Sequence, residues 1–275
     1  MEGVNTITIN KGRLETLQEE LSYAISKTSK TEIKIWGMNS AKLCGQLAIR
    51  RGKGLLRGVS NLLCFTAYEA GSFANAVKTK NVLTHLSGRK IVAYNTIKKE
   101  SKKLYQKLKL FSTYLRSNPK EAAPQMFLGF IGFLIGSGGL DGDGGIPDID
   151  LAFGIGKHRS ILTHSILPAL AIETIAFSLV TLVNTVHSKL PEKHDRFWDK
   201  LVENNKKLAM AFAGGTCAGI AYHLLVDMNP TADAIKPYSD LPFSTTMAGH
   251  QAIFGANAVV EIIDLKEKGN HENAA

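Results

Sequence analysis

The segment "GGIPDIDLAFGIGKHRSILTHS", residues 144–165, sets Asp148, Asp150, His158, Arg159 and His164 beside the most apolar part of the chain. Carboxylates in such surroundings are costly unless they are paired or bound to a metal. Further on, "YHLLVDMNP" (222–230) adds His223 and Asp227, four residues apart and therefore on one helix face. His158 and His164 are six apart, roughly 240° around an ideal helix. They reach one target only if His158 sits on a loop ahead of the helix, and Gly154 and Gly156 supply that loop. Six side chains then converge: Asp148, Asp150, His158, His164, His223 and Asp227. All offer nitrogen or oxygen and none sulfur, a set that suits zinc first, then manganese or iron, and is large enough for two ions. Such a metal lowers the pKa of bound water to about 7 and polarises an ester or phosphoryl oxygen. Arg159, always charged, would clamp a phosphate or carboxylate beside it; Arg159 and Asp150 are the two candidates for a direct part in the reaction.

These residues need elements to bring them together. Residues 165–186 carry one charge, Glu173, and residues 208–226 carry none beyond a histidine. Both are long enough to cross a bilayer, which takes about 20 residues, and both also fit central helices of a soluble bundle. The polar connection between them contains Pro191 and makes an antiparallel pair the simplest arrangement, with the start of the first helix beside the end of the second. The stretch 126–140, "MFLGFIGFLIGSGGL", is uncharged and glycine-rich but short for a crossing. No useful strand-like alternation follows residue 35. The predicted fold is all-α: a helical bundle with an antiparallel apolar helix pair carrying a metal site at one end.

The two parts of the chain differ in charge. The overall balance is +9, but residues 1–120 hold 22 Lys/Arg against 7 Asp/Glu, while residues 121–275 hold 11 against 17 and every aspartate. The front part therefore seeks anions. Leu14, Leu17, Leu21 and Ile25 share a helix face, and Ile97, Leu104, Leu108, Phe111 and Leu115 share another whose opposite side is lysine-rich. That is the pattern of a helix on an anionic membrane surface, and equally of a solvated helix packed on its own domain. A helix over 40–80 is expected to break near 52–58, "GKGLLRG". The two prolines of "SNPKEAAPQ" (117–125) mark a boundary between a basic helical region, 1–120, and a second helical domain, 121–275, that carries the candidate metal site. Cys44, Cys64 and Cys217 have no paired spacing, which argues against a disulfide framework or thiolate zinc site and suits a reducing compartment. The polar first residues carry no secretory h-region.

"IPDID" (146–150), "HRSILTHS" (158–165) and "YHLLVDMNP" (222–230), in that order, resemble the motifs of the LexA-regulated, membrane-bound metal-dependent hydrolases. The resemblance covers about residues 125–235. It implies an all-helical protein associated with the inner membrane, a divalent metal, and hydrolysis of a substrate that is usually unassigned. Positive-inside bias would leave the basic front part cytoplasmic.

The expected activity is thus membrane-associated, metal-dependent hydrolysis of a phosphoester or carboxyl ester. The alternative is a non-catalytic membrane effector or adaptor with a structural metal and a basic anion-binding region. Nucleic acid is disfavoured as a partner, since charge alone points to it and neither a zinc-finger nor an RNP pattern occurs. Asp141 and Asp143 read as a solvated loop, and His250 as a capping or surface residue. His85, His187, His194 and His271 read as surface residues, and Ser165 lacks the acid–base partner of a serine nucleophile.

Overall fold

The computed structural model describes residues 11–140, 144–154, 159–227 and 253–262, with Asp240 and Gly249 besides. In chain order they form α1 (Lys11–Lys27), α2 (Lys30–Lys78), α3 (Val82–Ser117), α4 (Pro119–Ser137), a 3-10 helix (Pro147–Phe153), α5 (Ile166–His187) and α6 (Arg196–Asp227). A last helix, α7 (Ile253–Ile262), comes after them. The described residues contain no strand, and the architecture is an all-α bundle.

Local chemistry sets several of these boundaries. Ser29 caps α2 in a reciprocal box with Glu32: the Glu32 N–H donates to Ser29 Oγ at 3.2 Å, and the Ser29 N–H donates to Glu32 Oε2 at 2.8 Å. Ser165 caps α5 by accepting from the Leu167 N–H at 3.2 Å, which is the role the structure gives that hydroxyl. The expected break at 52–58 does not occur, for α2 runs unbroken through Gly52, Gly54 and Gly58. A helical glycine costs only about 1 kcal/mol relative to alanine, and this part of α2 is anchored by a stronger contact. Arg51, fully buried, donates to Glu173 Oε2 of α5 at 2.8 Å, to Glu261 Oε1 of α7 and to Cys217 Sγ of α6 at 3.3 Å. Arg50 adds a bond to Glu173 Oε1 at 2.9 Å. The single charge in the apolar α5 is therefore spent on holding the basic front part.

Two more contacts tie residues 1–120 to the apolar helices and their connection. Glu20 of α1 accepts from the Trp198 indole N–H and the Asp195 backbone N–H, both at 2.8 Å. Trp36 of α2 donates to the Ser178 carbonyl of α5 at 2.8 Å.

Helices α5 and α6 run antiparallel. Near one end Asn205 donates to Asn184 at 2.6 Å, and at the other His164, just before α5, meets His223 and Asp227 at the close of α6. Both helices are long and apolar enough to cross a membrane. α4 packs against α6 more closely than side chains allow. A Cβ placed on Gly132, Gly136, Gly215 or Gly219 would overlap the facing helix's backbone, at Phe212, Thr216, Gly129 and Phe133 respectively. Such small-residue contacts let helices associate through their backbones, a device common inside membranes.

Candidate metal centre

The centre forms where the end of α6, the residues leading into α5 and the 3-10 helix meet. His223 and Asp227 lie one turn apart on α6, as their spacing predicts. His223 Nδ1 lies 3.2 Å from the Ser137 carbonyl. A carbonyl only accepts, so Nδ1 carries the proton and Nε2 presents a lone pair. That bond exists because the glycine contact brings the last turn of α4 against α6. Asp148 is fixed by the Gly144 N–H, which donates to Oδ2 at 2.5 Å and turns Oδ1 inward.

Four donor atoms then face one another. His164 Nε2 lies 3.6 Å from Asp148 Oδ1 and 3.4 Å from Asp227 Oδ2, and His223 Nε2 lies 3.7 Å and 3.3 Å from the same two oxygens. These separations exceed the usual hydrogen-bond range of about 2.7–3.2 Å. Asp148, His164 and His223 bring ligand atoms within 4.8 Å of one another, near enough to share an ion with bonds of about 2.1 Å, and Asp227 borders that group through both rings. Both imidazoles are buried, His164 at 0% and His223 at 1% exposure.

The outward atom of each group is also held. Asp227 Oδ1 faces Arg159 Nη2 at 3.3 Å. His164 Nδ1 lies 3.0 Å from Thr163 Oγ1 and 3.3 Å from Asp150 Oδ2. Asp150 Oδ2 in turn accepts from Thr163 Oγ1 at 2.6 Å and from the Ser160 N–H at 2.8 Å. Carboxylates and carbonyls on the far nitrogens of metal-binding histidines have this role in general: they fix the tautomer and raise ligand basicity. Burial opposes a charge on His164, but Asp148, Asp227 and Asp150 outweigh it and hold its pKa above the ordinary histidine value. The centre is a place that favours positive charge.

Of the six residues proposed as ligands, Asp148, His164 and His223 bring ligand atoms within 4.8 Å of one another, and Asp227 lies against both rings beside that group. Asp150 lies on the opposite side of the His164 ring, in the orienting position. His158 lies outside the described residues, as do Asp141, Asp143 and His250. Arg159 is buried against Asp227 with a left-handed backbone, φ 63°, a conformation that costs a non-glycine residue about 1–2 kcal/mol.

Three supporting partners are not apparent from the motifs. Thr163 and the Ser137 carbonyl support the two histidines. Asp240 accepts from the Ile161 N–H at 3.0 Å and from Ser160 Oγ at 3.1 Å, holding the loop that carries Arg159. The Thr-His pair in "THS" is a usable signal for Thr163. A backbone carbonyl leaves no trace in sequence, and nothing local marks Asp240.

No protein-family model, no curated protein and no solved structure matches the chain. The resemblance to metal-dependent hydrolases rests on its three motifs alone.

Proposed function

We propose that the chain is a membrane-associated metal-dependent hydrolase acting on a phosphoester or carboxyl ester, with a divalent transition metal, zinc foremost, held by Asp148, His164, His223 and Asp227. One observation carries this reading: two buried imidazole nitrogens each lie 3.3–3.7 Å from two carboxylate oxygens, from three separate stretches of chain, while the far atom of each group is engaged elsewhere. A bound ion of this kind supplies Lewis acidity and a nucleophilic hydroxide near neutral pH. The chain's own groups position and charge the site. Asp148 and Asp227 contribute two negative charges, and the Ser137 carbonyl and the Thr163–Asp150 pair keep both Nε2 atoms aimed inward. Arg159 steadies Asp227 and places a permanent cation beside the centre. Arg159 and Asp150 are therefore positioning residues in this reading, one step back from the substrate. The apolar α5 and α6 support membrane association.

A second reading, a structural metal in a non-catalytic effector or adaptor, is favoured by the burial of both imidazoles. A structural zinc is closed by four protein ligands, whereas a catalytic one keeps an open position. Cobalt substitution separates the two. In the hydrolase, added azide or cyanide changes the visible Co²⁺ bands that His223→Ala abolishes, and the zinc-loaded protein turns over aryl phosphodiesters or carboxyl esters in detergent or vesicles. A spectrum indifferent to these anions, with no turnover on either ester class, supports the structural role. A zinc content that His223→Ala leaves unchanged after loading without chelators removes both readings.

A further inference from the structure

We propose a second divalent-metal site at the opposite end of α5, made by His187, His194 and Asp199. His187 closes α5, His194 lies in the connection, and Asp199 belongs to the first turn of α6. Nothing in their spacing, around a proline in a polar stretch, suggests a common target.

In the fold they converge. His187 Nε2 lies 2.9 Å and His194 Nε2 3.0 Å from the same atom, Asp199 Oδ1, and the ligand atoms of all three residues lie within 4.8 Å of one another. The rings stand nearly perpendicular, at 84° with centroids 5.3 Å apart, so their nitrogens meet at an edge instead of stacking.

The decisive contact is on the far side of His194, where Nδ1 lies 2.8 Å from the Pro191 carbonyl oxygen. That oxygen only accepts, so Nδ1 carries a proton, and a neutral ring is left with a lone pair on Nε2. This lone pair points at a carboxylate oxygen. Two acceptors so placed require a positive charge between them. A ring proton on each line can supply it, and a divalent ion held by both rings and the carboxylate would replace the two protons at once. The carbonyl behind His194 is the usual outer support of a metal-binding histidine.

Separations of 2.9 and 3.0 Å are those of hydrogen bonds, and they leave the three ligand atoms near enough to close on an ion with bonds of about 2.1 Å. Three protein donors then occupy one face of the ion. The other face opens to solvent, because the Asp199 side chain is 56% exposed. Two imidazoles and a carboxylate suit zinc, nickel or copper. The open face leaves positions for water or for a donor atom of another molecule.

The joint around the site is already braced. Glu20 holds Asp195 and Trp198, and Arg13 makes a paired contact with Asp195 at 2.8 and 2.9 Å. An ion here would pin the end of α5 to the start of α6, in the connection that α1 already grips. The 22 residues of α5 separate this site from the first centre by about 33 Å at 1.5 Å per residue. The proposal stands on its own residues and does not depend on the hydrolase reading.

The test is a metal count on the full chain in detergent, expressed without a polyhistidine tag, stripped with chelator, and dialysed at low micromolar free Zn²⁺. The expected result is two equivalents, falling to one in each of His187→Ala and His194→Ala, with His223→Ala losing the other. These side chains are surface groups, and Asp199→Ala serves as a third variant should either histidine change reduce yield. A count that none of the three lowers overturns the second site, whatever His223→Ala does. A count lowered by these variants but not by His223→Ala supports the second site and removes the first centre.

Discussion

Gly219→Ala is the sharpest test of how the first centre is built. Gly219 sits one helical turn before His223, and a Cβ there would overlap the Phe133 carbonyl oxygen and lie 2.7 Å from the Ser137 backbone nitrogen. Both contacts are with backbone, so no side-chain rotation relieves them, and α4 must move away from α6. In an interior packed at crystal-like density a relief shift of about 1 Å is a large strain, and overpacking of this kind costs about 1–3 kcal/mol. The same shift acts on the bond between His223 Nδ1 and the Ser137 carbonyl, 3.2 Å at present, stretching it to about 4 Å, beyond hydrogen-bonding reach. His223 then loses the partner that aims Nε2 inward. Loss of such a partner weakens metal affinity by about 10- to 100-fold. The control is Gly71→Ala on α2, where nothing lies within 4 Å of the added methyl and the gain in helix propensity is about 0.5–1 kcal/mol. Thermal unfolding and zinc affinity are measured for both variants in one detergent. If Gly219→Ala is no less stable than Gly71→Ala and binds zinc as tightly as the parent, the backbone-contact argument is wrong.

Three further outcomes are expected. Asp150→Asn keeps an acceptor for the Ser160 N–H but removes the negative charge behind His164, so zinc affinity falls by about 10- to 100-fold while the metal count at saturation is unchanged; competition with a chromogenic chelator reads this. Arg51→Met leaves Glu173 and Glu261 without their shared buried cation and costs about 3–5 kcal/mol, seen as a lowered unfolding midpoint in denaturant. Glu32 is held down to about 2, from an ordinary 4.5, first by Lys189 and then by the backbone and hydroxyl of Ser29. Its folded pKa is depressed, so its stabilising effect is full above about 4.5 and is lost as pH falls toward about 2. Glu32→Gln should therefore lower the melting temperature at pH 6, with the difference from the parent vanishing near pH 2.

The sequence is most informative where one periodicity decides the outcome. Two apolar runs on either side of a polar, proline-containing connection predict α5 and α6 and their antiparallel pairing. The four-residue spacing of His223 and Asp227 then places both side chains on one face. The 3-10 helix is harder to read. At three residues per turn, Asp148 and Asp150 diverge by about 240°, so only Asp148 looks into the centre while Asp150 stands behind His164. The expected break in α2 fails because glycine's modest local penalty is outweighed by Arg51, whose partners on α5, α6 and α7 lie far along the chain. The second cluster is invisible for a related reason: the orientation of His194 is set by a carbonyl, and carbonyls carry no residue-specific signal.

The buried ion pair between Arg51 and Glu261 spans 210 positions, and this separation bears on how the molecule is made. At about 5–20 residues per second of synthesis, the arginine waits roughly 10–40 s for its farthest partner. During that interval its guanidinium is better hydrated than sequestered, so the first long rod cannot settle fully on the nonpolar pair before the final helix emerges. Completion of the bundle is thereby deferred until α7 has been synthesised, and a nascent chain halted short of that point should expose its basic arm to proteases and chaperones.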